Sequence, residues 1–438
     1  FNIIGVEDAA KIRTDIWNTL NSREKVSSCL LRDEDINTLS YNGKDVVVIH
    51  VPRADYEERP VYINNNLMRG TYRRRHEGDY HCPEPIIRMM LRDACDDGND
   101  RMFLEHYTMD DIDIPTLEAY RNMFRVANLE HVWNGLDHKE FLKQLGGYTT
   151  DRATGKEGLT MAGLLMFGKG LPVRERFDNL RMDYIDKSNL VGDQRYSDRL
   201  TYDGTWENNI FNFMRMVLPR LTRDLPRPFK MNGIVREDDT PQKKAVREAF
   251  TNMIIHADMM ISGGLLRVEK YDDKFVLTNP GLLKLPLEQI YAGGESKARN
   301  QRVQHMLRMI GYGENLGSGF PLILNAWQEK HWLKPQLIEQ PELMQVKLEL
   351  KIVNAENPTA LQRGQKEGQK EGQKELSSRQ LEIIHLLEKT PGATMPQIAE
   401  AMAITYRTVR RDMEYLQKSG IISREGGRKE GRWIINKF

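Results

Sequence analysis

Apolar residues recur at helical spacing along residues 245–258 (AVREAFTNMIIHAD), where Val246, Ala249, Phe250, Met253, Ile254 and Ala257 mark one buried face. On the other side Glu248, Asn252 and His256 stand four apart, which stacks a carboxylate, an amide and an imidazole on one stripe. Asn can ligate a hard cation through its oxygen, and Glu can orient or deprotonate a water, so the row suits a metal–phosphate site. Solvated helix faces also carry such triplets, so the decision falls to what surrounds the stripe. The pattern next changes to strands, at 265–269 and 275–278, joined by a hairpin turn at 271–274. Asn279-Pro280-Gly281 marks a sharp loop straight after the second strand. Further on, Glu314-Asn315-Leu316-Gly317-Ser318-Gly319 precedes an apolar helix at 320–327, and such a turn lets backbone N–H groups approach phosphates. Between the two loops, residues 293–300 are expected to form a mobile lid; Lys297 or Arg299 could reach a phosphate, and a solvated basic loop is the alternative. Residues 345–352 (QVKLELKI) alternate cleanly and are expected to close the sheet as an edge strand.

The chain before this region reads as α+β and then mostly helical. Residues 9–21 are amphipathic, with Ile12, Ile16, Trp17 and Leu20 on one face. Residues 45–52 (DVVVIHVP) read as a buried strand. Residues 61–64, a turn at Asn64-Asn65-Asn66 and residues 68–75 read as a hairpin, and 83–94 as a short helix. Arg69, Arg73, Arg74 and Arg75 surround Tyr72 within eight residues, a grouping that can grip phosphates and stack on a base. A charged edge strand accounts for the same residues equally well. Residues 96–230 read as a mostly helical connecting region. Within it, Asp110, Asp111 and Asp113 lack the spacing of a calcium loop and read as a helix start. Residues 159–168 read as an apolar core helix, and 177–186 as a strand of a covering sheet.

Residues 364–375 repeat Gly-Gln-Lys-Glu three times with nothing apolar to bury, so 356–375 is expected to be a flexible tether. Three short amphipathic helices follow in 376–438: 378–389, one capped by Thr394, and 405–418. Residues 421–424 and 432–435 then suggest a hairpin across a Gly-rich loop. Helix–turn–helix plus wing is a DNA-binding plan. Its third helix exposes Tyr406, Arg407, Arg410 and Arg411 at its start, and the wing offers Arg428, Lys429 and Arg432. This segment holds eleven Lys/Arg against seven Asp/Glu, a local +4 in a chain whose net charge is +1. A protein-interaction winged helix is the competing reading.

Length and composition narrow the rest. The chain has 438 residues, enough for about three domains. Its 39% hydrophobic and 29% charged residues are ordinary for a soluble multidomain protein. Three cysteines without a C-x-x-C pair argue against a disulfide framework or zinc site and point to a reducing cytoplasm. No apolar run approaches the ~18 residues of a membrane span, and no signal peptide is evident.

Taken in order, the 245–258 helix, the Asn-Pro-Gly loop and the Gly-Ser-Gly loop resemble the Bergerat-type ATP-binding fold of the GHKL superfamily. More narrowly, the run resembles the ATP-binding domain of prokaryotic transcriptional regulators that carry an AlbA-type (Schlafen-like) domain in front. That resemblance implies magnesium ligation by Asn252 and a water-activating position for Glu248. It places His256 and Asp258 at the end of the helix motif. Asn279 takes the adenine-reading position beside Gly281, and Gly317 and Gly319 fall in the phosphate loop. His256-Ala257-Asp258-Met259 departs from the usual His-Arg-Asp-Tyr, and Leu282 stands where a second Gly is expected. Residues 53–92 resemble the C-terminal half of the AlbA-type domain; the start at Phe1 reads as entry part-way through it.

The fold expected is therefore α+β multidomain. A partial AlbA-type domain at 1–95 leads into the connecting region at 96–230. A GHKL-like α/β sandwich occupies 231–355, and the 356–375 linker joins it to a winged helix at 376–438. The function expected is an ATP- and Mg2+-binding, DNA-binding transcriptional regulator, cytoplasmic and homodimeric. Two rivals stand beside it: an enzyme, either an ATPase or a Schlafen-like nuclease acting in stress or phage defence, and a degenerate scaffold that binds no nucleotide.

Overall fold

The computed structural model describes residues 3–75, 78–95, 98–178, 180–225, 231–232, 235–236, 239–313, 319–353, 378–402, 404–418, 421–425 and 432–435. The chain forms two compact units, residues 1–361 and 362–438. It is a mixed α/β protein whose second unit is a helix–turn–helix domain with a two-stranded wing.

Alternation of apolar and polar residues builds the first unit's six-stranded sheet. Its order is Gln336–Gln340, Gln345–Lys351, Lys274–Pro280, Leu265–Lys270, Arg181–Asp186 and Asp198–Leu200. Only the Leu265–Lys270/Arg181–Asp186 pair is parallel. Register carries one apolar row across five strands, from Tyr184 through Val268, Leu277 and Leu348 to Leu337. Phe275, Leu277 and Asn279 share a face because they alternate along one strand. That face is covered by the helices Ile114–Ala127, Met161–Phe167, Ile210–Thr222, Pro241–Ile255, Gln301–Met309 and Gly319–Glu329, which join it in a single core.

Two expectations about this sheet change. Residues 345–352 were expected at its edge, yet Gln345–Lys351 is an inner strand, because Gln336–Gln340 pairs on its far side. Residues 177–186 supply an inner strand of the same sheet instead of a separate cover, since Arg181–Asp186 runs parallel to Leu265–Lys270 in full register. Residues 96–230 thus share core and sheet with the residues that follow 239. The acids at 110–113 do start a helix: Asp113 caps Ile114–Ala127 by accepting from Thr116 N at 3.0 Å.

The N-terminal region is attached through small elements. Ala9–Leu20 is a helix capped by Asp8, and Glu84–Asp93 is a second one. Ile36–Tyr41 and Lys44–Ile49 form a two-stranded hairpin. The strand expected to be buried at 45–52 is not, because the hairpin has only two strands and its Leu39, Tyr41 and Val48 face stays exposed. The second hairpin also differs from expectation. Asn66 accepts from Arg69 N at 2.9 Å and folds Leu67–Gly70 into a helical turn, so the strand begins at Tyr72 and pairs with Gly78–His81.

In the second unit, Ser378–Lys389, Met395–Ala401 and Tyr406–Lys418 enclose Ile383, Leu387, Ile398, Val409, Met413 and Leu416. Thr394 and Gln397 form a capping box at the second helix. Arg379 grips the buried Asp412 with two bonds of 2.6 and 3.2 Å, tying the first helix to the third. The wing is Ile422–Glu425 against Arg432–Ile435, anchored by Trp433, whose Nε1 donates to Ala393 O at 3.1 Å.

Helix Met161–Phe167 is buried at all seven positions, and the Cβ that alanine would add at Gly163 collides with the Gly147 carbonyl. Alanine would gain up to ~1 kcal/mol of helix propensity there, but overpacking against rigid backbone costs more, about 1–3 kcal/mol. Gly163→Ala is therefore expected to lower the denaturant midpoint, by roughly 2 kcal/mol in unfolding free energy. A midpoint at or above wild type would contradict that packing.

Candidate functional site

The helix Pro241–Ile255 starts where Thr240 Oγ1 accepts from Lys243 N at 3.3 Å, with Pro241 in the first position, where no N–H is needed. Its far end is closed from a distance of more than forty residues. Asn300 Nδ2 donates to Ile254 O and Ala257 O, both at 2.9 Å, satisfying carbonyls the helix itself leaves open. With both ends fixed, the stripe of Glu248, Asn252 and His256 lies along one wall of a cavity.

The cavity's floor is the end of the sheet: Leu277, Asn279, Leu337, Val346 and Leu348. The loop from Leu282 to Leu285 and residues 295–297 line it too, as do Tyr312, Gly313, Gly319 and Phe320, with Gly313 and Gly319 against the middle of the helix. The cavity opens to solvent, and apolar side chains line it beside the polar stripe. Gly319 lies so close to the stripe that a Cβ there would strike the Glu248 carboxylate and come within 3.4 Å of Asn252. An alanine there would require the Glu248 carboxylate to move aside.

Four residues singled out from sequence on the helix and its following strand thus meet in one cavity: Glu248, Asn252, His256 and Asn279, with Gly319 as the fifth member. Asn279 Nδ2 donates to Pro280 O at 3.3 Å, which turns the amide nitrogen back to its own chain. Burial, then the charges of Arg299 and Lys284, push the His256 imidazole down to about 4, so the ring is neutral near pH 7. Asp258 and Gly281 are not among the lining residues. Asp258 is buried and accepts from Arg92 at 2.8 Å and from Met260 N at 3.0 Å. Gly281 has φ +103° and packs against the Arg299 guanidinium. Gly317 lies outside the described residues.

Arg299 differs most from its expected place. It belongs neither to a solvated loop nor to the cavity's mouth: it is 3% exposed and donates to Asp93 through Nε at 2.7 Å and Nη2 at 2.6 Å. It also donates to His256 O at 2.7 Å and Leu282 O at 2.6 Å. Residues 298–300 are all buried, so this stretch is fastened to the site helix and not poised as a lid arm. Sequence reasoning missed Thr251, Ile255, Lys284, Arg308 and Tyr312 as lining residues. The first two were legible, because they share the Glu248 stripe at three and seven residues.

The second unit presents Tyr406, Arg410 and Arg411 as exposed residues of the third helix, and Arg432 on the wing. Arg410 pairs with Glu414 at 3.0 Å and Arg432 with Glu425 at 3.1 Å, both on the surface. The Arg407 side chain, and Arg428 and Lys429, lie outside what the structure describes. In the N-terminal region Arg69 is exposed and Arg74 pairs with Asp79 at 3.2 Å. Arg73 Nε is buried without a partner among the described residues, and the Arg75 side chain is outside them.

Residues 263–348 match the family described as "putative ATP-dependent DNA helicase recG C-terminal". Residues 379–430 match the DeoR-like helix-turn-helix domain, and residues 88–183 a domain of unknown function, DUF8451. No curated protein matches. Among solved structures, the DIP2311 protein from Corynebacterium diphtheriae is similar at 18% identity, with a TM-score of 0.43, over 99% of this chain and 80% of that one. That likeness is too distant to support any argument. The chain therefore carries an ATPase-like domain followed by a DeoR-like helix–turn–helix domain.

Two predictions follow from the site's geometry. Arg299→Ala strands the buried Asp93 carboxylate and is expected to cost about 3–5 kcal/mol in chemical unfolding, whereas Lys297→Ala, at a partly exposed position, should change it by less than ~1 kcal/mol. Equal effects would remove Arg299 from its central place. For pH, a folded value near 4 against the ordinary 6.5 means the folded His256 binds fewer protons between those limits. Its contribution is whole above pH 6.5 and is lost as pH falls toward 4. Asp100, raised by burial to about 6, acts with the opposite sign over its own range. The melting temperature of His256→Gln should therefore fall less than that of wild type between pH 6.5 and 4.5; parallel curves would exclude the buried neutral imidazole.

Proposed function

We propose that this chain is an ATP-binding transcriptional regulator, in which the cavity takes Mg-ATP and the winged helix takes DNA. The convergence of Glu248, Asn252, Asn279 and Gly319 on one cavity is the observation that carries the reading. Two hard oxygen donors four residues apart, facing a side-chain-free approach at Gly319, suit a magnesium ion that is shared with phosphates. Among the described residues no group of three or more His, Cys, Asp and Glu could hold a metal alone.

In this reading Asn252 ligates the magnesium and Glu248 orients a water, which makes Glu248 the residue on which any hydrolysis depends. Asn279 lines the cavity, where its amide oxygen would accept from the exocyclic amine of adenine. The backbone near Gly317 and Gly319 cradles phosphates. His256 contributes a neutral ring, and Asp258 and Gly281 act one layer behind, by fixing the loop that carries Asn279. The architecture is that of a GHKL-type domain behind an AlbA-type (Schlafen-like) region, whose Arg69 and Arg73–Arg75 strand supplies a second nucleic-acid contact. Tyr406, Arg407, Arg410 and Arg411 enter the major groove, and Arg428, Lys429 and Arg432 of the wing meet phosphates. Two copies bind a symmetric operator, and nucleotide occupancy alters DNA affinity.

Calorimetric titration of Mg-ATP into the full chain is expected to show binding that Asn252→Ala abolishes. No binding by either protein would leave the cavity without a nucleotide role. For DNA, Arg410→Ala/Arg411→Ala should weaken binding and reduce the slope of log K against log salt by about 0.9 for each phosphate that is no longer neutralised. An unchanged slope would assign the winged helix to protein contacts.

A further inference from the structure

The cavity is lined by four cations, Lys284, Lys297, Arg299 and Arg308, against two carboxylates, Glu248 and Glu295. Arg299 is committed to Asp93. The two lysines are held differently, by a segment that precedes them by more than two hundred residues. Lys284 Nζ stands 4.4 Å from the centre of the Tyr56 ring, and Lys297 Nζ stands 5.5 Å from it. Tyr56 is 5% exposed and is not itself a lining residue. Its hydroxyl donates to Glu57 Oε1 at 2.5 Å, and that same oxygen lies 4.0 Å from Lys297 Nζ. The segment is laid along the cavity's loop by Arg53 and Arg59, which donate to Leu283 O and Lys284 O at 3.5 Å. Glu339 ties both sides, accepting from Leu283 N at 2.7 Å and from Arg53 at 3.3 Å.

Each of these restraints on the ammonium groups is weak. A cation over an aromatic face, or 4.0 Å from a largely exposed carboxylate, gains little in water. Phosphate oxygens at hydrogen-bonding range are stronger partners, and more so as their charge accumulates. A lysine stem is long and flexible enough to swing its charge from rim to interior.

We propose that Lys284 and Lys297 grip the polyphosphate of the bound nucleotide, and that Tyr56 competes with the ligand for both lysines and Glu57 for Lys297. The inference rests on the nucleotide reading of the cavity. It assigns the site to di- and triphosphates over uncharged nucleosides. It also makes the 53–59 segment the part of the N-terminal region that senses occupancy, because ligand binding withdraws both charges from Tyr56. Glu57 lowers affinity for the ligand in this scheme, so its removal should tighten binding.

The test is calorimetry on the full chain with ATP, AMP and adenosine, each with magnesium. Lys284→Ala/Lys297→Ala is expected to weaken ATP at least about tenfold while moving adenosine less than about threefold. Glu57→Gln, on the surface, should tighten ATP by roughly twofold to threefold and leave adenosine unchanged. Amide exchange across residues 53–59 should quicken on ATP addition in wild type and not in the double variant. ATP binding by the double variant at wild-type strength, or equal losses for ATP and adenosine, would overturn the proposal. So would a Glu57→Gln protein that binds ATP no tighter than wild type. A wild-type chain that binds none of the three compounds would instead refute the nucleotide reading itself.

Discussion

One guanidinium holds the site together. Arg299 donates to both oxygens of Asp93, to His256 O at the end of the site helix and to Leu282 O in the loop after the Asn279 strand. Four of its five N–H donors are thereby placed on three separate stretches of chain. An arginine buried to 3% exposure is tolerable only with such complete partnership, since removing one member leaves charge stranded in a poor dielectric. The planar fork also fixes geometry, and no lysine could reproduce it. The stripe on the helix and the strand that carries Asn279 thus owe their mutual distance to a lining residue whose own charge is spent on Asp93.

Around that fork the neighbouring groups repeat the same device. Arg92, one residue before Asp93 on the same helix, pairs with Asp258, so adjacent side chains exchange charge with both flanks of the cavity's base. Asn300, next to Arg299, closes the C-terminal carbonyls of the site helix. Asp100 takes the N–H of Val303 at 2.8 Å and so caps the helix that follows. All three connect stretches that are far apart in sequence. The N-terminal region is in this way joined to the ATPase-like fold by the paired charges of Arg92 and Asp93. Its own small buried cluster, Cys82, Ile86, Ile87 and Met89, packs against Ile261, Leu282 and Met344.

Much of this could be seen in the sequence where the information is local. Period 3.6 with a four-residue polar repeat placed Glu248, Asn252 and His256 on one stripe, whereas the Asn-Pro-Gly signal put Asn279 in a loop after 275–278, and the strand in fact runs on through Pro280. The Gly-Ser-Gly turn marked the helix start that falls at Gly319. The winged helix was legible for the same reason, since each helix carries its own apolar face and cap. What was not legible was pairing between distant segments. Nothing in residues 345–352 says whether another strand lies beyond them, and nothing in 181–186 says which sheet accepts it. Arg299 looked like a lid residue because its loop is polar and Gly-rich; its partner Asp93 is some two hundred residues earlier, beyond the reach of periodicity. Asp45 to Pro52 looked buried for the opposite reason: a β-branched run reports the propensity to form a strand, not the presence of a cover.

The same distinction bears on how the cavity would communicate. A site whose ligands all came from one helix and its own loops could bind without any other part of the protein responding. Here the loop from Leu282 to Leu285 is held on one side by Arg299 and on the other by Arg53, Arg59 and Glu339. A ligand that shifts this loop by even a few tenths of an ångström must lengthen bonds to residues of the N-terminal region. Bonds of 3.5 Å from Arg53 and Arg59 are the ones that would yield, because the 2.6 Å bond from Arg299 to Leu282 O is shorter. The rigid contact thus lies toward the core and the compliant one toward the N-terminal segment, which gives ligand-driven movement a direction.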